Sequence, residues 1–269
     1  MRRPIVAWAL GVLVLTRGAV YAARATDLGE TWVIETDMYT LHWKLAAQAG
    51  YSRAWVDGEE GSLLGANQAR TFYHSDNYGG RWNDWGFGHV RSVERAPGKV
   101  VIEYAMFDGM HKEYTCTATY WDGVAYFRHR VVVAAGGDVR SFSQGHEPMV
   151  EPHTGTGVRN AYGDWGEPFP HAAFANKHGF FALYTELGTA RTHPDWDADG
   201  RMDLIHDSLG EKLQDGDRSD PIVYSLAVGA GGLGEAHSLA PDVTTEPSLP
   251  VSRRDKLAGT WATLKTYLE

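Results

Sequence analysis

Apolar and polar residues alternate along three successive segments between residues 99 and 134, and this alternation is the clearest structural signal in the chain. Asp-Gly pairs at 108–109 and 122–123 separate the segments, and such pairs are typical of the tight turns in β-hairpins. Because successive side chains of a strand point to opposite faces, the second segment should have an apolar inner face and a polar outer face. In the third segment Arg128 and Arg130 should point away from the side that carries His129, and either face could line a groove. The residues that share one face within each segment are Val100, Ile102, Tyr104 and Met106, then Tyr114, Cys116, Ala118 and Tyr120, then Phe127, His129, Val131 and Val133.

Other segments are rich in aromatic and β-branched residues and predict further strands. No segment before residue 250 has the period of an amphipathic helix. Many strands joined by glycine-rich turns favour an all-β fold, which we expect to be a large antiparallel β-sandwich. The strands are predicted at 32–43, 51–56, 62–64, 139–142, 179–185 and 222–228.

The end of the chain predicts a linker followed by a helix. Residues 240–250 contain three prolines, and Ser252 can cap a helix whose apolar stripe is formed by Leu257, Trp261, Leu264 and Leu268. We therefore expect a sandwich domain at 26–239, and at 240–269 a linker and a short C-terminal helix that packs on the sandwich.

The first 25 residues have the pattern of an export signal. Arg2 and Arg3 precede an apolar run at 5–15, and Ala23-Arg24-Ala25 has the small residues of a cleavage site. The run is shorter than the roughly 20 residues that a membrane-spanning helix needs. We expect a mature chain that begins near Thr26 and is secreted or periplasmic.

Charge excludes two classes of partner. Residues 1–25 contain four Arg and no acid, so the mature chain keeps 21 basic and 34 acidic residues and a net charge of −13. Such a surface repels nucleic acid and anionic membranes, and it also repels an acidic polysaccharide unless the binding cleft is locally basic. The single cysteine, Cys116, cannot form an internal disulfide and is expected to be a small core residue.

The segment 72–89 contains six aromatic residues, two His and one Arg among four Gly, and it shows no regular period. We interpret it as a loop. Aromatic rings that stack on sugar C–H faces, together with short polar groups that bind hydroxyls, are typical of a sugar site, although the rings can also form a small core under a loop. The predicted substrate-binding residues in this segment are Tyr73, His74, Trp82, Asn83 and Trp85.

A second polar cluster runs from 143 to 171 and contains prolines at 148, 152, 168 and 170, which predict a stiff loop. If the two loops meet, they form a cleft to which this segment contributes Trp165 and His171 as further binding residues. For each histidine a structural role is the alternative. The candidate catalytic residues of the cleft are Arg81, His89, His146, Glu147 and Tyr162.

The order of strands, the turn at 57–58, the hairpin series and the late strand at 222–228 resemble the galactose-mutarotase-like β-sandwich of aldose 1-epimerases, some glycoside-processing enzymes and several polysaccharide lyases. The resemblance covers most of the mature chain, is architectural, and assigns no catalytic residue. It implies a carbohydrate-active protein.

Three reactions and one binding function are compatible with these residue types. A polysaccharide lyase, which we prefer, would use Arg81 or a His to neutralise a uronate carboxylate, and His146 or Tyr162 to move the proton. An epimerase would pair a His acid with a base such as Glu147, and a hydrolase would use two carboxylates. A carbohydrate-binding module would use Trp82, Trp85 and Trp165 as a platform. The expected ligand is a poly- or oligosaccharide.

The segment 195–203 has the ligand order of an EF-hand-like calcium loop. Asp195, Asp197, Asp199 and Asp203 occupy positions 1, 3, 5 and 9, and Gly200 occupies position 6. Position 12 is His206 where the motif has Glu, which should weaken binding. The sequence predicts a structural calcium site here, with a metal-free acidic turn as the alternative.

Overall fold

A computed structural model describes residues 23–45, 49–64, 72–78, 81–84, 86–107, 112–135, 142–150, 159–162, 171–185, 191–194, 202–205, 215–243 and 247. These residues form seventeen strands and one helix. The strands are β1 (Arg24–Asp27), β2 (Thr31–Glu35), β3 (Tyr39–Lys44), β4 (Gly50–Val56), β5 (Phe72–Tyr78), β6 (Arg81–Asp84), β7 (Gly86–Ala96), β8 (Lys99–Phe107), β9 (Lys112–Trp121), β10 (Tyr126–Ala135), β11 (Phe142–Val150), β12 (Arg159–Tyr162), β13 (His171–Asn176), β14 (Gly179–Tyr184), β15 (Arg191–Pro194), β16 (Met202–Ile205) and β17 (Ile222–Gly229), and the helix is α1 (Leu233–Leu239).

The strands form three antiparallel sheets. The first has the order β1-β2-β3-β4, the second β12-β13-β14-β17-β10-β9-β8-β7, and the third β15-β16-β11-β5-β6. The all-β sandwich expected from the sequence is confirmed. The three segments between residues 99 and 134 are β8, β9 and β10, adjacent in the second sheet.

The main core lies between the four-stranded and the eight-stranded sheets. Every one of these alternating residues of β8, β9 and β10 is fully buried, and in β10 the structure thus decides between two faces that the sequence left open; Arg128 is half-buried and Arg130 exposed on the other face. Residues of β3 and β4, including Tyr39, Trp43 and Tyr51, cover this face from the first sheet. Alternation with a period of two therefore predicted which residues share the side of the sheet that carries the core.

Cys116 is one of these core residues. It is fully buried, and burial raises the pKa of its thiol well above the usual range. This burial confirms the expectation of a small core residue. A thiol that is held neutral and away from water is also a poor nucleophile.

Two loop predictions are wrong. The segment 72–89 contains the paired strands β5 and β6 and the start of β7, and the segment after residue 142 is the strand β11. The sequence shows no apolar period here because polar, aromatic and glycine residues occupy positions on both faces of these strands. Pairing of the strand backbones does not need an apolar face. Residues 62–64, in contrast, form only a single bridge and no strand.

The helix α1 corrects the expectation that no helix precedes residue 250. Its seven residues are too few to show a helical period, and it begins after Gly232, whose backbone N–H donates to Glu235 Oε2 at 2.7 Å. α1 buries Ala236 against β13, β14 and β17, on the face opposite the main core. The predicted helix at 252–268 lies outside the described residues, as do most of the predicted linker and of the export signal.

An ion pair on β1 and β2 predicts a small acid-sensitive contribution to stability. Arg24 Nε and Nη2 each donate to Glu35 at 2.7 Å, and this contact holds the pKa of the Glu35 carboxyl below its ordinary value against the opposing effect of burial. Because the folded-state pKa is lowered, the stabilisation is present above the ordinary pKa and is lost as the pH falls through the lowered one.

We expect Glu35→Gln to lower the free energy of unfolding by about 0.5 kcal/mol at pH 7, the usual size for an exposed pair. The difference from the unmodified chain should vanish in urea titrations at pH 3. Glu30→Gln, at an exposed position near the same sheet, is the control and should change nothing at either pH. A deficit that persists at pH 3 would contradict an ionic origin.

Candidate functional site

The five-stranded sheet brings together the two polar segments that the sequence singled out. β5 pairs with β11 on one side and with β6 on the other, so positions 72–78 and 142–150 are adjacent although about seventy residues separate them in the chain. Tyr73 is opposite Met149, and His74 is opposite Pro148. The segments meet as hydrogen-bonded strands rather than as loops over a sheet.

The register of this sheet divides the candidate residues between its two faces. Directly paired residues share a face, and so do residues two apart along a strand. Tyr78 pairs with Arg81 and Asp76 with Asn83, so one face has the positions His74, Asp76, Tyr78, Arg81 and Asn83. Asn77 pairs with Trp82, and Ser75 pairs with Glu147, so the other face has the positions Tyr73, Ser75, Trp82 and Glu147.

A β-bulge interrupts the pairing of β5 with β11. Asn77 pairs with Gln144 and Ser75 with Glu147, so two residues of β11, Gly145 and His146, are opposite the single residue Asp76. Bulges redirect a side chain and are frequent beside active sites. His146 therefore occupies an irregular position opposite Asp76, whose partner on β6 is Asn83.

His89 and Tyr162 are not on this sheet. His89 is exposed on β7, at one edge of the eight-stranded sheet, and its ring is 6.3 Å from the ring of Phe107. Tyr162 belongs to β12, at the opposite edge of that sheet, with six strands between them. The five candidate catalytic residues therefore lie in two sheets. Arg81, His146 and Glu147 belong to the five-stranded sheet, whereas His89 and Tyr162 lie at opposite edges of the eight-stranded sheet.

The outer face of the eight-stranded sheet near His89 is polar. Arg91 lies at a register shift of β7, donates to Glu113, and lies 3.3 Å from Thr115 Oγ1 and 4.0 Å from Glu103 Oε1. The acids beside Arg91 offset its charge. This face is therefore a hydrophilic surface and not a cationic patch.

Of three further binding candidates the structure describes only His171, in a position unfavourable for binding. His171 begins β13 and is buried, 2% exposed, with its ring 5.9 Å from Tyr184 and 5.1 Å from His237. A side chain so covered has no surface for a sugar, so the substrate-binding role is not supported. Trp85 and Trp165 lie outside the described residues.

The predicted calcium loop joins the strands of a hairpin. β15 pairs with one side of β16 and β11 with the other. Asp203 on β16 is opposite His193 on β15 and opposite Met149 on β11. Asp195, Asp197 and Asp199 lie outside the described residues, so the calcium site stays a prediction. Within the described ranges, no group of three or more His, Cys, Asp or Glu is arranged to hold a metal. No helix in those ranges is both long and apolar enough to cross a membrane.

A buried chain of hydrogen bonds was not anticipated from the sequence. Tyr104 and Tyr120 hydroxyls are 3.1 Å apart, Tyr120 and Tyr51 2.7 Å, Tyr51 and His129 Nε2 2.7 Å, and His129 Nδ1 and Tyr224 3.0 Å. Burial raises the pKa of all four tyrosines, so their hydroxyls stay protonated. The signal that could have revealed it was a lone His that alternates with apolar residues in one segment, beside tyrosines that alternate in the two preceding segments.

This series of hydrogen bonds connects the two sheets of the core. Tyr51 comes from β4, and the other members come from β8, β9, β10 and β17 of the opposing sheet. A neutral imidazole accepts at one nitrogen and donates at the other, so the series can run in one direction with each of Tyr104, Tyr120 and Tyr51 donating once. All five residues are inaccessible to solvent, so the arrangement stabilises the core and is not a site for a ligand.

No protein-family model matches the sequence, and no curated protein matches it at a significant level. Solved structures do match in fold. A putative aldose 1-epimerase from Klebsiella pneumoniae is 8% identical, with a TM-score of 0.51, and the match covers 83% of this chain and 87% of that chain. A TPR-domain containing protein from Parabacteroides distasonis is 7% identical, with a TM-score of 0.50 over 82% of this chain and 49% of that one.

A GH36 alpha-galactosidase from Geobacillus stearothermophilus is 10% identical, with a TM-score of 0.45 over 79% of this chain. The chain spans about two fifths of that protein's length, 41%. At these identities the comparisons concern architecture. The chain therefore resembles the galactose-mutarotase-like β-sandwich in architecture, through its fold match with the putative aldose 1-epimerase.

Proposed function

We propose that the chain is a carbohydrate-active protein that binds a glycan at the five-stranded sheet and cleaves a uronic-acid-containing polymer by β-elimination. The observation that carries the proposal is the bulge at Gly145 and His146, opposite Asp76 in the strand that also pairs with β6. The bulge places the His146 position opposite Asp76. Arg81 and Asn83 occupy positions on the same face of the sheet as Asp76.

The reaction assigns a separate task to each group. Arg81 pairs with the uronate carboxylate and stabilises the negative charge that develops when the neighbouring carbon loses its proton. His146 accepts that proton, the carbon–carbon double bond forms, and the bond to the glycosidic oxygen breaks. The proton then passes to the leaving oxygen, so no water is consumed and no other reactant is needed.

The charge of the chain and the location of the substrate set two conditions for this proposal. Because the chain has 34 acidic and 25 basic residues, a polyanionic substrate must meet a local cation, and Arg81 is the residue that we assign to this task. A polymer that cannot enter the cytoplasm also requires export, which we propose for this chain on the basis of the pattern at residues 1–25. Tyr73 and Trp82, on the other face by register, would belong to a separate contact surface.

The test is turnover of a panel of uronate polysaccharides, followed by the ultraviolet absorbance of the unsaturated product. We expect His146→Gln to lower turnover by about 10²–10⁴-fold, the usual contribution of a general base. Arg81→Lys should keep the charge but lose bidentate pairing with the carboxylate, and should reduce kcat/KM less than Arg81→Met.

His178→Gln is the matched control, because His178 lies in the β13–β14 turn and not in a strand of the five-stranded sheet, with its Nδ1 3.3 Å from Glu59 Oε2. Its turnover should equal that of the unmodified chain. Equal turnover of His146→Gln, with the fold intact by circular dichroism, would remove His146 from the mechanism. Binding of a glycan without product would favour a non-catalytic module.

An aldose epimerase is the second candidate, favoured by a fold match that covers most of both chains. In that reaction a His would act as acid and Glu147 as base on a reducing sugar. Polarimetry of freshly dissolved aldoses separates the two, since an epimerase speeds the change in rotation and yields no unsaturated product. New reducing ends without ultraviolet absorbance would instead indicate a hydrolase.

A further inference from the structure

The backbone nitrogen of Ala23 is bound by a carboxylate at the start of the described chain. Its N–H donates to Asp122 Oδ2 at 2.7 Å, across a sequence separation of 99 residues. Both residues are buried, with Ala23 4% and Asp122 8% exposed. The contact holds the beginning of β1 against the turn that follows β9.

The surroundings of this nitrogen are more acidic than an amide needs. Asp122 Oδ1 and the Tyr39 hydroxyl are buried and have no hydrogen-bond partner among the described residues. Asp37 is close enough to affect both electrostatically, and Asp37 Oδ1 accepts from the backbone N–H of Gly123 at 2.6 Å. Burial raises the pKa of the Asp122 carboxyl, and the N–H of Ala23 opposes this; the charge of Asp37 also raises the pKa, whereas the backbone N–H of Asp37 lowers it.

An amide N–H satisfies only part of such a site. It supplies one donor and no charge, while the buried Asp122 carboxylate that accepts from it has a second oxygen without a partner among the described residues. An α-ammonium group at the same position supplies three donors and a positive charge, which is what a buried carboxylate with an unpaired oxygen requires.

The two residues after Ala23 are integral to the fold. Ala25 is buried in the main core and pairs with Ile34, and its carbonyl oxygen accepts from Arg95 Nη2 at 3.0 Å. Arg24 forms the ion pair with Glu35. Cleavage after Ala25, where the small-residue pattern first suggested it, would remove half of β1.

We propose that export of this chain is completed by hydrolysis of the peptide bond between Ala22 and Ala23, and that Asp122 binds the new α-ammonium group of Ala23. An export-associated endopeptidase adds water across the bond, leaving a carboxylate on Ala22 and an ammonium on Ala23. Ala22 is the small residue that such enzymes need immediately before the bond. The proposal depends on export and is independent of the sugar chemistry.

The first test is the intact mass of the full chain after expression in an exporting Gram-negative host. We expect the periplasmic protein to have the mass of residues 23–269, and its first residues to be Ala-Arg-Ala by N-terminal sequencing. A chain that begins at Thr26, or one that keeps residues 1–22, overturns the proposal.

The second test compares two purified proteins, one that begins at Ala23 and one with a single Gly before it. The added residue moves the ammonium away from Asp122 and restores an amide there. An ordinary α-ammonium has a pKa of about 7.7–8.0, and pairing with a carboxylate should raise it by about one unit, which is about a tenfold change in the folding equilibrium. Because the folded-state pKa is raised, the benefit is fully present below the ordinary pKa and is lost as the pH rises through the raised one.

We therefore expect the Ala23 protein to melt at a higher temperature at pH 6.5, and the gap between the two proteins to close by pH 10. Asp37 and Tyr39 interact electrostatically with Asp122, and Arg95 donates to the carbonyl oxygen of Ala25; all three are the same in both proteins, so they cancel in the gap. Asp122→Asn in both should abolish the gap; if that variant does not fold, the comparison of the two parent proteins still decides. Equal melting temperatures at pH 6.5 would overturn the role of the ammonium.

Discussion

Replacing His129 with Leu should lower the free energy of unfolding by about 3 kcal/mol. The imidazole bridges Tyr51 at 2.7 Å and Tyr224 at 3.0 Å in a place without solvent access. Leu fills a similar volume but has no polar atom, so each hydroxyl has one hydrogen bond fewer and cannot replace it with water. Each such loss costs about 1–3 kcal/mol, and the measurement is urea unfolding followed by tryptophan fluorescence.

The neighbouring residue on the same strand provides a control for His129→Leu. Arg130 is exposed on the outer face of β10, so Arg130→Leu should change stability by less than about 0.5 kcal/mol. Tyr51→Phe should give an intermediate loss, since it removes the hydroxyl that contacts both His129 and Tyr120. If His129→Leu were as stable as the unmodified protein, the chain of hydrogen bonds would contribute nothing beyond packing.

The strands of the core could be predicted because a buried face leaves a pattern in the sequence. In β8 to β10 every second residue is apolar and an Asp-Gly turn follows β9, so local information sufficed. The seven-residue helix α1 left no such pattern. Its position depends on the Glu235 contact at its first turn and on the burial of Ala236, neither of which has a period.

The candidate site was harder to predict than the core. The residue types at 72–89 and 143–150 indicated polar, sugar-type chemistry, but their pairing depends on strands about seventy residues apart, which no local pattern encodes. The register also places Arg81 and Glu147 on opposite faces, a distinction that the sequence could not reveal while the bulge at Gly145 and His146 was unknown. The sequence placed His129 opposite Arg128 and Arg130, but its hydrogen-bond partners, Tyr51 and Tyr224, come from two other strands, β4 and β17.

Replacing Trp43 with Ala should cause a still larger loss, about 4 kcal/mol in the free energy of unfolding. Trp43 is fully buried on β3, stacks on Tyr104 of the eight-stranded sheet at 4.2 Å, and contacts the Tyr51 ring edge-on at 4.7 Å. Truncation removes this contact between the sheets and leaves a cavity that the rigid strands cannot close, for which 3–5 kcal/mol is typical of a tryptophan.

The control for Trp43→Ala is Trp55→Ala in the adjacent strand β4. Trp55 is partly exposed and packs against the His42 ring at 4.7 Å on the other face of the same sheet, so it loses contact area without creating an internal cavity. We expect a loss of about 1 kcal/mol for it. Equal losses for the two variants would mean that the interface between the four-stranded and eight-stranded sheets contributes no more to stability than the solvent-facing side, and that the core assigned here between them does not hold the sandwich together.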